Sequence, residues 1–216
     1  MRFTLLDLYC FSIGIAAIIG VVRFNRINPA YYPFVYLCWL AFTNEIISYL
    51  LLYTGQYNSL NNNIYVLFES FLICWQFRKW GLLSNKKLFL SLLTLFLLAW
   101  FIEAFFIKGI KYTITYFRIF YSFIVVLMSL QIVSHILLRE RSPLLRNSIF
   151  LICLGFIIYF TFKILVGIFW LWGLNTNDTF VSNMIWILVY LNVFTNLIYA
   201  LAVSWMPRRL QFTMPL

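Results

Sequence analysis

Charge is scarce in this sequence. Asp, Glu, Lys and Arg make up 10% of 216 residues, where a soluble domain carries about 25%. The shortfall excludes an ordinary soluble domain. Proline is also thin, and its five positions (Pro29, Pro33, Pro143, Pro207, Pro215) fall between or beyond the apolar runs, so no proline-kinked helix is expected. The four cysteines (Cys10, Cys38, Cys74, Cys153) lie inside apolar runs with no CxxC spacing and no histidine cluster. They read as small core side chains rather than a disulfide framework or a zinc site. A Gly-rich phosphate loop, HExxH and GxSxG are all missing, so no catalytic residue, metal or cofactor is assigned.

Apolar side chains take the place of the missing charge, at 64% of the chain. Several runs approach the ~20 residues that cross a bilayer core. They fall at roughly 4–22, 34–54, 63–80, 88–107, 113–138, 147–172 and 184–205. The expected fold is therefore all-α, a single polytopic bundle of seven transmembrane helices with little left over for a soluble domain. The first run is kept as a span and not a cleaved leader: Arg2 is the only basic residue ahead of it, Asp7 follows, and no A-x-A site closes it.

The net charge of +10 sits in short loops between apolar runs, which reads as a topology signal rather than a nucleic-acid surface. One set of loop ends carries eleven Lys and Arg (Arg23 and Arg26; Arg78, Lys79, Lys86 and Lys87; Arg139, Arg141 and Arg146; Arg208 and Arg209), and the opposite set carries three, Arg2, Lys108 and Lys111. This bias predicts a cytoplasmic C-terminus and an outside N-terminus, in the cytoplasmic (inner) membrane. Spans one to three and five to seven then share an orientation about span four. A basic turn, a span, an Asn-rich loop, a span and a second basic pair recur in each half, so a 3+1+3 parallel repeat is a candidate. Repeats of this kind occur among membrane carriers.

Ionisable groups inside the spans carry the functional reading, because a charge at the centre of a membrane helix costs about 2.5–3.5 kcal/mol on insertion scales and is normally turned inward or paired. At ~1.5 Å per residue, Glu45 and Lys163 each lie about 13 Å below the outer ends of their spans, and Glu69 about 9 Å below. Asn44 adjoins Glu45, while Asn192 and Asn196 share a face of span seven through an i+4 step. These six form the expected ligand or proton site, in a polar cavity opening outward. Glu45 and Lys163 are the expected opposite charges, and Glu69 has no evident cation at its depth. Glu103 and Arg118 flank the connection between spans four and five and are expected to pin them as an ion pair.

The stretch Asn63-Ile64-Tyr65-Val66-Leu67-Phe68-Glu69-Ser70-Phe71-Leu72 resembles one found in small uncharacterised seven-span membrane proteins of Bacteroidota. That resemblance implies a membrane location and no activity. Three functions follow from the pocket. A ligand-binding or signalling module would hold a small ligand or lipid in the outer cavity and pass the change to another membrane protein. A small-solute or proton-coupled carrier would use the same carboxylates, with Gly14, Gly20, Gly155 and Gly167 as hinges. A lipid-modifying enzyme would pair Glu69 with Glu103 as base and acid.

Overall fold

Asn28 and Pro29 set the start of the second helix, and they show how these helices begin. The Asn28 side chain accepts the Ala30 N–H at 2.9 Å, and a short 3₁₀ turn, Pro29–Tyr31, leads in. Pro33 then occupies the first helical turn, where a missing N–H costs nothing. Asn147 does the same for a later helix, accepting from Ile149 N at 2.9 Å and Phe150 N at 3.2 Å.

The computed structural model describes residues 11–139, 144–172 and 178–208. The first residues of the first expected span, with Arg2, Asp7 and Cys10, lie outside the described residues, as do Arg141, Pro143, Arg209 and Pro215. Seven α-helices run through the rest: α1 Ile13–Arg23, α2 Tyr32–Tyr53, α3 Ser59–Lys79, α4 Lys86–Ile102, α5 Tyr116–Arg139, α6 Ser148–Leu171 and α7 Asp178–Trp205. A π-helical turn, Glu103–Ile107, extends α4. Among the described residues there is no strand, and one isolated antiparallel bridge joins Ile27 to Arg208.

Five helical stretches are long and apolar enough to cross a membrane: Pro29–Tyr53, Lys86–Ile107, Tyr116–Leu138, Ser148–Leu171 and Trp186–Trp205. The chain is an all-helical integral membrane protein. Its patterning is inverted relative to a soluble fold. Val22, Leu50, Leu98, Phe123 and Phe194 stand exposed, whereas Asn63, Glu69, Ser70, Gln76 and Glu103 are buried. That is the arrangement a hydrocarbon solvent selects, since polar groups there have no water to turn to. The most polar helix, α3, holds much of this interior: Asn63, Glu69, Ser70 and Gln76 are all buried on it.

The helices pack in a circuit. α1 lies along α2, α2 along α3, α5 along α6, α6 along α7, and α7 returns to α1, while α3 closes the gap against α5. α4 stands beside that circuit, touching α3 and α5. Close approach is bought with glycine: a Cβ at Gly155 on α6 would collide with the Tyr199 ring of α7, and one at Gly167 would lie 2.8 Å from Ile119 of α5. Gly14 and Gly20 likewise face Phe42 and Val35 of α2. The four helical glycines are contact points between helices.

The end of the bundle bearing Arg23, Arg78 and Lys79, the basic end, is stitched across the chain. Arg23 donates from Nη1 to Val203 O at 2.6 Å and to Ser204 O, and from Nη2 to Met206 O at 3.1 Å, satisfying carbonyls that the end of α7 leaves open. Asn28 N donates to Pro207 O at 3.1 Å. Gln76 binds the start of α2 from both sides of its amide, accepting from Phe34 N and donating to Ala30 O, each at 2.8 Å.

Candidate functional site

Glu69 is the centre of the buried polar cluster. Three residues of three helices meet its carboxylate: Lys163 of α6 at 3.0 Å, Tyr121 of α5 through its hydroxyl on the same oxygen, and Tyr65 one turn back on α3, donating to the other oxygen at 2.9 Å. Lys163 also donates to the Tyr121 hydroxyl. Its ammonium sits 5.1 Å from the ring centroids of Tyr121 and Phe160 and 5.2 Å from that of Tyr159, within the range of cation–π attraction. The Lys163 side chain is 15% exposed and that of Glu69 4%. Glu69–Lys163 is the only ion pair within 4 Å among the described residues.

This corrects two expectations about charge. Lys163 takes Glu69 and not Glu45, and Glu69 does not lack a cation. The reason is neighbour order: α6 packs on α5, and α3 closes on α5, so Lys163 and Glu69 converge behind Tyr121. The expected Glu103–Arg118 ion pair is also replaced. Glu103 accepts from the backbone of Thr115 at 2.7 Å, Tyr116 at 3.0 Å and Phe117 at 2.5 Å, so the carboxylate at the end of α4 caps the first turn of α5. The π-helical turn that starts at Glu103 closes through Lys108 N to Glu103 O at 3.0 Å. Both carboxylate oxygens of Glu103 are thereby engaged by backbone donors at the start of α5.

Beside the cluster is a cavity of about 80 Å³, enclosed by α1, α2, α3, α6 and α7. It has room for several waters or a small polar group. Glu45 and Glu69 both line it, with Asn192, Thr195 and Asn196 of α7 and the rings of Tyr65, Tyr159 and Phe160. Phe34, Phe156 and Tyr199 form its floor on the side of the basic end, with ring centroids 5.3 to 6.0 Å apart in edge-to-face contacts. Asn196 donates to Ser12 Oγ at 2.8 Å and to Asn192 Oδ1 at 3.3 Å, tying α7 to the start of α1.

Of the six expected site residues, five therefore come together around one space: Glu45, Glu69, Asn192 and Asn196 line it, and Lys163 is bonded to Glu69 at its wall. Asn44 does not. It is buried in an amide network at the far end of the α2–α3 hairpin, accepting from Asn61 at 2.9 Å, while Asn61 also donates to Ser48 at 3.1 Å and Asn58 at 3.1 Å. Tyr159 and Phe160 were missed by the sequence reading, although they precede Lys163 by four and three residues and so share its helix face. Asn63 is the first residue of the expected third span, with no role assigned to its side chain. It is wholly buried, bonding Ile110 O at 3.1 Å, Tyr112 O at 2.8 Å and Ile114 N at 3.2 Å, and it fixes the α4–α5 connection.

Against protein-family models, curated proteins and solved structures, the chain has no match. What the site can do is accordingly read from its own chemistry. Glu69 has both oxygens committed to donors. Glu45 makes no ion pair within 4 Å among the described residues, so it is the cavity carboxylate open to a further partner. No group of three or more His, Cys, Asp or Glu suited to a metal exists among the described residues.

Proposed function

We propose that the chain is a seven-span protein of the cytoplasmic membrane, N-terminus outside and C-terminus inside, that binds a small ligand in this cavity. The observation that carries the reading is Glu45: a carboxylate facing a cavity rimmed by aromatic rings and amides, with no described cation to neutralise it. A ligand that brings a positive or strongly proton-donating group to Glu45 relieves the cost of the unpaired charge. The aromatic side chains of Tyr65, Tyr159 and Phe160 in the lining suit a cation as well. The aromatic floor and the stitched basic end leave entry from the outside as the shorter route. In this reading the occupied state is communicated to another membrane protein through the apolar outer faces of the bundle.

Native mass spectrometry of the protein in nanodiscs tests the reading. The wild type is expected to carry a small molecule of reproducible mass in fixed stoichiometry, absent from Glu45→Gln and from the cavity-filling Ala41→Phe. A small molecule retained equally by both variants would place the site elsewhere and overturn the proposal.

A second reading, a small-solute or proton-coupled carrier, is favoured by the helix circuit. If α1–α3 and α5–α7 are parallel halves, the contacts α1–α2 and α2–α3 correspond to α5–α6 and α6–α7, the closure of α7 on α1 corresponds to that of α3 on α5, and α4 is the linker. Asn28 and Asn147 then open corresponding helices. Uptake into proteoliposomes driven by an imposed pH gradient, lost in Glu45→Gln, would select this reading over simple binding.

A further inference from the structure

We infer that Arg118 is the core of a second site, one for an oxyanion, in the first turn of α5 and outside the lining of the Glu45 cavity. Three observations converge on it. First, the guanidinium Nε and Nη2 are buried and have no hydrogen-bond partner. These two nitrogens form one edge of the guanidinium, and their N–H bonds point the same way, the geometry that meets two oxygens of a carboxylate or phosphate side by side. Second, Ser122, one turn further along the same face, has a wholly buried hydroxyl that is also unpartnered. Three donors on one face of α5 thus lack an acceptor, where most buried polar groups in folded proteins have one. Third, the acid that sequence proximity would assign to Arg118 is engaged elsewhere, because Glu103 is held by three backbone N–H groups.

The surroundings reinforce the sign. Lys108 and Lys111 belong to the connection that leads into α5, and Lys108 donates to Thr115 Oγ1 at 2.9 Å, one turn from Arg118. Arg118 and Lys163 are the two cations inside the expected spans and away from their ends, and among the described residues Glu69 pairs with Lys163 alone. A guanidinium edge buried without acceptors is unfavourable in a membrane interior. A carboxylate or phosphate group supplies both the missing charge and the missing acceptors. Such a group can come from a free anion arriving from the aqueous side or from the headgroup of a phospholipid in the outer leaflet.

Two measurements on the full-length protein in a neutral, lipid-free detergent separate these sources. Inorganic phosphate and acetate are titrated while the thermal unfolding midpoint is followed, with chloride at equal ionic strength as the reference. Co-purified phospholipid is counted by native mass spectrometry. A saturable rise in midpoint with phosphate or acetate, abolished in Arg118→Gln, identifies a free-anion site. A phospholipid retained by the wild type and lost from Arg118→Gln, with no response to free anions, identifies a headgroup site. Either result supports the inference. Should Arg118→Gln fail to fold, Arg118→Lys keeps the charge but not the two-pronged edge, and is expected to weaken binding by about tenfold or more. Ser122→Ala is expected to weaken it several-fold. No anion response and no retained lipid in the wild type, or binding that Arg118→Lys and Ser122→Ala leave unchanged, would overturn it.

Discussion

At the residue scale the protein turns on a single buried pair. Glu69 and Lys163 each satisfy the other, and two tyrosine hydroxyls also donate to the carboxylate, so removal of one partner leaves a buried charge without its counter-charge. Lys163→Met is expected to destabilise the fold by about 3–5 kcal/mol in denaturant titration, and the double variant Glu69→Gln with Lys163→Met by clearly less than the two single losses added. Additive losses would show that the pair is not coupled. Glu103 acts on backbone instead of on a side chain. Glu103→Ala is expected to cost about 1–2 kcal/mol and to speed amide hydrogen exchange at Thr115, Tyr116 and Phe117, while Arg118→Gln leaves those amides protected. How far this was legible differs between residues. Helical spacing and depth put Glu45, Glu69, Lys163, Asn192 and Asn196 near one space. They did not say which acid takes the lysine, because that depends on the order in which helices neighbour one another, and i+3 and i+4 steps contain no information about it.

Among the elements, α3 combines the most polar interior with the largest structural duty. Its Asn and Gln residues keep it from ranking with the five apolar spans, and the same residues made its first turn read as loop: the helix begins at Ser59, ahead of the expected 63. The amides that disguised it are the ones that bind α2 and the α4–α5 connection. Gln76→Leu removes the partners of Phe34 N and Ala30 O together. The expected loss is about 1–3 kcal/mol for each group left unpaired, with fraying at the start of α2 visible by hydrogen exchange. The boundary of α7 was likewise late in the sequence reading, at 184, where the backbone is helical from Asp178. Between α6 and α7, Gly155→Ala displaces the Tyr199 ring, which is part of the cavity floor. Overpacking of this kind typically costs about 1–3 kcal/mol. The informative readout is ligand retention: a variant that loses stability yet binds as before would show that the floor is not part of the site.

For the whole molecule, composition alone announced an all-helical membrane protein; each of the seven apolar runs overlaps one described helix, and five stretches are long and apolar enough to cross a membrane. Which helices touch was not legible, since the circuit depends on contacts between residues far apart in the chain. The orientation drawn from the charge bias yields a direct check. A cysteine replacing the exposed Tyr57 is expected to react with a membrane-impermeant maleimide in intact cells, and one replacing the exposed Ser84 only after lysis. The reverse pattern would invert the topology and, with it, the side from which either site is reached. The described native cysteines are buried, which keeps the background low. The guanidinium of Arg23 reaches carbonyls about 180 positions later in the chain. During synthesis α1 must therefore wait in the translocon or the lipid without its eventual neighbour, and that seam cannot close until the chain has been made past Met206. A nascent chain stalled ahead of residue 203 should stay open along that seam and offer it to whatever insertase or chaperone attends the growing protein.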